Sequence, residues 1–160
     1  MNSFTDSQGR TWTLTVTVDA IKRVRRLTEI DLLEAVSGRL LERLAGDPVV
    51  LCDVLYALCR PEAESKQVTD EDFGRAMAGD AIEQATAALL EALADFFPSR
   101  KRQLLKQAGA KLSELEAKVL DHAEAQLSSG AIDAELDRML KASGDSPGSA
   151  PGSSDSTPGP

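Results

Sequence analysis

The feature that most constrains this chain is its punctuation. Helix-ending and helix-starting signals recur from the fortieth residue onward: Gly46-Asp47-Pro48, Pro61, Gly79-Asp80, Pro98-Ser99 and Gly130. Between them the apolar residues fall three and four apart, the spacing that lines one face of an α-helix. A glycine followed by an Asx residue and a proline ends one helix, supplies a side-chain cap and places proline at the first helical position. Such a chain folds as a series of short to medium helices. Aromatic residues make up 4% of the sequence, so the core has to be assembled from Leu, Val, Ile and Ala.

Only the N-terminus departs from this period. Thr11-Trp12-Thr13-Leu14-Thr15-Val16-Thr17-Val18 alternates strictly, with Trp12, Leu14, Val16 and Val18 on one face and threonine on the other. Period-two alternation of β-branched and aromatic residues indicates a strand. Asp6-Ser7-Gln8-Gly9 has turn chemistry, so Asn2–Thr5 is expected to pair back on it, giving a hairpin over residues 2–18. A lone hairpin is marginal in water and must lie on the helices or pair with another chain.

The helices follow in order. Asp19 is expected to cap a helix in which Ile21, Val24 and Leu27 share a face, and a second runs from Asp31 to Leu44 with Leu33, Val36, Leu40 and Leu44 inward. Val49–Cys59 is apolar nearly all round and reads as the central buried helix, stopped by Pro61. Thr69 with Asp72 resembles a capping box ahead of Phe73 and Met77. Ile82, Ala85, Leu89, Leu93 and Phe96 or Phe97 line the next helix, closed by Pro98. A long helix over about 100–127 carries Leu105, Ala108, Leu112, Leu115 and Val119 as a narrow seam, of the kind that faces a partner. Ile132, Leu136, Met139 and Leu140 make a last amphipathic helix. Residues 143–160 are Ser, Gly, Pro, Asp and Thr with one Ala, which cannot offset the entropy of ordering, so a disordered tail is expected. The fold class is therefore mostly α: one compact helical domain over 1–142 with a short N-terminal β-hairpin and a disordered C-terminal tail.

Chemistry-bearing residues are few. The one histidine, His122, has Asp121 adjacent on a helix and pointing elsewhere, which does not assemble a nucleophile–base–acid triad. Cys52 and Cys59 are two helical turns apart, about 10 Å along the axis, too far for a disulfide within one helix. One His and two Cys do not supply a metal site, the acids Asp70, Glu71 and Asp72 favour a helix N-terminus, and isolated glycines make no phosphate cradle. No catalytic, cofactor-binding or metal-binding residue is expected. Asp53 is a lone acid in an apolar helix; it either occupies that helix's wet strip or pairs with a base from residues 22–26. The net charge of −8 argues against general nucleic-acid binding. Two basic clusters stand out against it: Lys22, Arg23, Arg25 and Arg26, and Arg100, Lys101 and Arg102. The first is either a solvated face or a partner site. With the Leu105, Leu112, Leu115 and Val119 seam it makes the candidate partner-binding set. No basic segment precedes an apolar run at the N-terminus, and no stretch approaches the ~20 apolar residues of a bilayer span. A cytoplasmic protein without membrane contact is expected.

Three stretches resemble phage tail assembly chaperones: Phe4-Thr5-Asp6-Ser7-Gln8-Gly9-Arg10-Thr11-Trp12, Glu29-Ile30-Asp31-Leu32-Leu33 and Val68-Thr69-Asp70-Glu71-Asp72-Phe73. The order of elements, a strand pair, a helical body and a flexible C-terminal extension, is similar to theirs over residues 1–125 in outline. The resemblance implies a non-enzymatic protein in the host cytoplasm that coats a long tape-measure protein, or another tail protein, before the tube forms around it. It implies self-association into a homo-oligomer, and in some members a frameshifted longer form. Two other readings stay open: a head–tail or tail-completion component kept in the particle, and a small regulatory protein that sets Lys22–Arg26 on nucleic acid.

Overall fold

A computed structural model describes residues 2–144, together with Gly152 and Gly159. The expected disordered tail lies outside the described residues from position 145, apart from those two glycines. The chain divides into two units, Met1–Leu115 and Glu116–Pro160. It is mostly helical, with a two-stranded N-terminal sheet.

In the first unit, β1 (Ser3–Thr5) and β2 (Thr11–Thr13) pair antiparallel, with Ser3 opposite Thr13, Phe4 opposite Trp12 and Thr5 opposite Thr11. The threonines face out, and Phe4, Trp12 and Leu14 are buried, as alternation requires. The ladder ends at Thr13, short of the expected Val18, which opens helix α1 (Val18–Thr28). The cap of that helix is Thr17, whose hydroxyl accepts from the Ala20 amide; Asp19 sits in the first turn instead. Ala20, Ile21 and Val24 are buried, while Leu27 is exposed.

The single helix expected over 31–44 is two elements. Asp31 caps a 3-10 helix, Leu32–Ser37, and Gly38, at φ 85°, breaks it before α2 (Arg39–Gly46). A 3-10 helix has three residues per turn, so Leu32 and Ala35 stack on one face and are buried, leaving Leu33 and Val36 outside. The turn at Gly38 resets the phase, and Leu40, Leu41 and Leu44 point inward.

Helix α3 (Pro48–Ser65) is the centre of the unit. Asp47 caps it, its carboxylate accepting from the Val49 and Val50 amides, and Leu51, Val54, Leu55, Ala57, Leu58, Cys59 and Ala63 are buried. It packs on α1, α2, β2, α4 (Asp70–Ala76) and α5 (Asp80–Phe96). Thr69 caps α4 through the Asp72 amide, and Phe73 from α4 gathers the scarce aromatics, meeting the rings of Phe4, Trp12 and Tyr56 at 6.4, 5.0 and 5.5 Å. On α5 the small residues Ala85, Ala88 and Ala92 with Leu89 and Leu93 face the core, and Phe97, just after the helix, is the buried ring rather than the half-buried Phe96. β1 lies on α5.

Pro61 does not stop α3, which continues four residues beyond it. A proline inside a helix lacks the N–H owed to the carbonyl four residues earlier, here that of Ala57. Arg23 of α1 supplies the missing donor: its Nε is 2.7 Å from the Ala57 oxygen and its Nη2 3.2 Å from that of Leu58. A guanidinium from a neighbouring helix thus replaces a backbone amide.

Helix α6 (Ser99–Ser128) belongs to the first unit up to Leu115 and to the second from Glu116. In the second unit Gly130, at φ 69°, separates it from α7 (Ala131–Ser143).

Candidate interaction surfaces

The hairpin turn is built around the first residue of its turn signal, Asp6, whose burial the local pattern does not reveal. Asp6 lies one residue past β1, and its side chain is 1% exposed. One carboxylate oxygen accepts from the Gln8 amide at 3.0 Å and the Arg10 amide at 2.9 Å; the other accepts from Arg10 Nε at 2.7 Å and Trp12 Nε1 at 2.9 Å. Burial raises its pKa, but the Trp12, Arg10 and Gln8 bonds outweigh that and hold it below its ordinary value. Arg10 also donates to the Asp72 carbonyl, and the Ser7 amide to that of Ala76, so the turn is tied to α4. Each carboxylate oxygen of Asp6 is taken up by two donors, which makes this a structural knot.

The outer edge of β2 is partly covered by side chains of this chain. The Thr13 amide donates to Glu62 Oε2 at 3.1 Å, and the Thr11 carbonyl accepts from Lys66 Nζ at 2.6 Å. Glu62 in the last turn of α3 and Lys66 at its C-cap pair with each other. Two of the edge groups that would template another strand are thus satisfied by side chains, a known defence against edge-to-edge pairing.

The basic clusters are divided in the same way. Of the first, Arg23 is spent on α3 carbonyls and Arg25 on the carboxylate of Asp31, while Lys22 and Arg26 are exposed. Of the second, Arg102 donates to the carbonyls of Ala94 and Asp95, closing the C-terminus of α5, and Lys101 lies over the Phe97 ring at 5.9 Å. Asp53 is exposed, on the wet strip of α3; burial, then Asp70 and Asp47, raise its pKa.

The seam of α6 splits. Leu105 is buried in the core of the first unit, with Ala108 packed against it, so Leu105 cannot meet a partner. Leu112 is half-buried; Leu115 and Val119 are exposed. Among the described residues none after Leu105 is buried. Yet this stretch is helical and carries Leu115, Val119, Leu120 and Leu127 on α6 and Ile132, Leu136, Met139 and Leu140 on α7, from 44% exposed at Ile132 to 69% at Leu140. The sequence reading of α6 missed Leu120 and Leu127, which fall outside a strict heptad.

The remaining reactive groups sit where packing puts them. Cys52 and Cys59 are free; burial, aided by Asp53 and Asp70, pushes the Cys52 thiol up to about 11, and burial with Glu62 pushes that of Cys59 up to about 12. His122 is exposed on α6, its Nε2 3.3 Å from Gln126 Nε2. Among the described residues no cluster of His, Cys, Asp and Glu is arranged to hold a metal ion, and no helix is long and apolar enough to cross a membrane. Comparison with models of protein families, with curated proteins and with solved structures finds no match to this chain.

Proposed function

We propose that this chain is a non-enzymatic assembly protein of the phage tail chaperone type. It would work in the host cytoplasm, holding a helical tape-measure-like client and copies of itself through the apolar rows of its C-terminal helices. One observation carries the reading: the exposed Leu, Val, Ile and Met of the segment after Leu105, which has no buried residue of its own. An isolated helix is marginal in water, and each large aliphatic left in solvent forgoes roughly 1.5–3 kcal/mol of burial. A helix that lays its apolar face into a partner recovers that energy without any catalytic residue. The side-chain bonds of Glu62 and Lys66 to the β2 edge support placing this role on the helices.

Co-expression tests it. The wild-type chain should keep a tape-measure-like tail protein soluble and co-purify with it. Leu115→Lys with Leu136→Lys should abolish that while the far-ultraviolet dichroism of the first unit persists. A client that stays equally soluble with the variant, or aggregates equally with the wild type, would end the chaperone reading.

A further inference from the structure

Hydrophobicity says that the C-terminal faces need cover; charge says what covers them. In the first unit, the exposed strip of α6 is marked by Leu104 and Leu115, which lie within about 20° of each other around the helix axis and three turns apart. Arg100 and Lys111 border it, both within about 40° of Leu104. Glu114 is the one acid among residues 99–115, against Arg100, Lys101, Arg102, Lys106 and Lys111. This is a short apolar strip with a basic rim.

In the second unit the pattern is reversed. Ile132, Leu136, Met139 and Leu140 form a stripe about 100° wide on α7, with Asp133 just beyond one margin and Glu135 just beyond the other. Both acids are exposed; Glu135 also meets Arg138, one turn on, at 3.3 Å. From Glu116 to Gly144 acids outnumber bases two to one. This is an apolar stripe with an acidic rim. The two strips are also matched in length, about 16 Å from Leu104 to Leu115 and about 12 Å from Ile132 to Leu140.

We infer that the occupant of the α7 stripe is the basic-rimmed strip of α6 on a second copy of this chain, a head-to-tail contact between unlike surfaces. Pairing α7 with α7 would set Asp133 and Glu135 against their own copies, and pairing the 99–115 strip with itself would set basic against basic. Like charges across an interface are the device that excludes wrong partners, so the charges select the heterologous pairing. Made reciprocally by two copies, the contact closes as a two-fold dimer; made once per pair, it propagates into a ring or a filament. The inference rests on the functional reading only in treating these apolar faces as binding surfaces, and it concerns the second copy, not the client.

The experiment is sedimentation velocity on the full-length chain across a concentration series, at low and high salt. Wild type should grow in size with concentration, and salt should weaken that growth. Arg100→Glu with Lys111→Glu should weaken self-association roughly tenfold or more, as should Asp133→Lys with Glu135→Lys. Combining all four reversals in one chain should restore it, since the two strips are complementary again. A wild type that stays monomeric throughout would overturn the inference, as would α6 reversals that leave association unchanged. Association lost with Leu136→Lys but indifferent to every charge reversal would also overturn it, showing an isologous apolar contact. The co-expression assay reads separately: a client held by a monomer sinks this contact alone, and self-association without any client effect sinks the functional reading alone.

Discussion

The replacement of a backbone donor by Arg23 can be tested by a double-mutant cycle with Pro61. Arg23→Met keeps most of the aliphatic stem, and with it the packing on α3, but removes the guanidinium. The Ala57 oxygen then has no donor, because Pro61 has none to give, and the Leu58 oxygen loses its contact from Nη2. With the Arg23 side chain only 18% exposed, water reaches this site poorly. Leaving a half-buried carbonyl unpaired, together with a lost charge-assisted bond, costs about 2–3 kcal/mol. The accompanying ion pair with Asp19 contributes little, since that carboxylate is 88% exposed. In a Pro61→Ala background the amide of residue 61 is present and can bond the Ala57 oxygen in the ordinary helical way. There Arg23→Met should cost about 1 kcal/mol or less, a coupling of about 1–2 kcal/mol between residues of different helices. Urea unfolding of the four proteins at low concentration measures it. Equal costs in the two backgrounds, within about 0.5 kcal/mol, would refute the argument, because Arg23 would then act through something other than the gap left by proline.

Two further outcomes follow from the same physics. Asp6→Asn leaves part of the Arg10 and Trp12 network without a charged acceptor and should cost about 1.5–3 kcal/mol at neutral pH. Because the folded-state pKa of Asp6 is depressed, its contribution is present above the unfolded value near 4 and is lost as the pH falls through the folded one. Wild-type stability should therefore fall more steeply than the variant's below about pH 4; parallel acid titrations of the two would refute this. Leu55→Ala, at a fully buried position on α3, should cost about 2–5 kcal/mol by urea unfolding, and a loss below about 1 kcal/mol would move the core elsewhere.

Much of the fold was legible in the sequence because the signals are local. Asp47 reaches the amides two and three residues on, Thr69 that of Asp72, and alternation alone placed Trp12 and Leu14 inward. A cap, a turn or a helix face is decided within one or two turns of chain, so residue spacing encodes it directly. Even there a wrong phase propagates: without the break at Gly38, Leu33 and Val36 were expected inward, and the tighter 3-10 turn put Leu32 and Ala35 there instead.

By itself, then, the sequence determined a mostly helical chain with several of its caps, one buried central helix and an N-terminal strand pair. Tertiary structure decided the rest, because the deciding partners lie far apart along the chain. Arg23 meets the carbonyl that Pro61 leaves without a donor; Glu62 and Lys66 partly cover the β2 edge; Arg102 ends α5. A helical stripe is the same in sequence whether its own core covers it or water does. Leu105 and Leu115 share one pattern on one helix, and only the packed core makes the first a packing residue and leaves the second exposed.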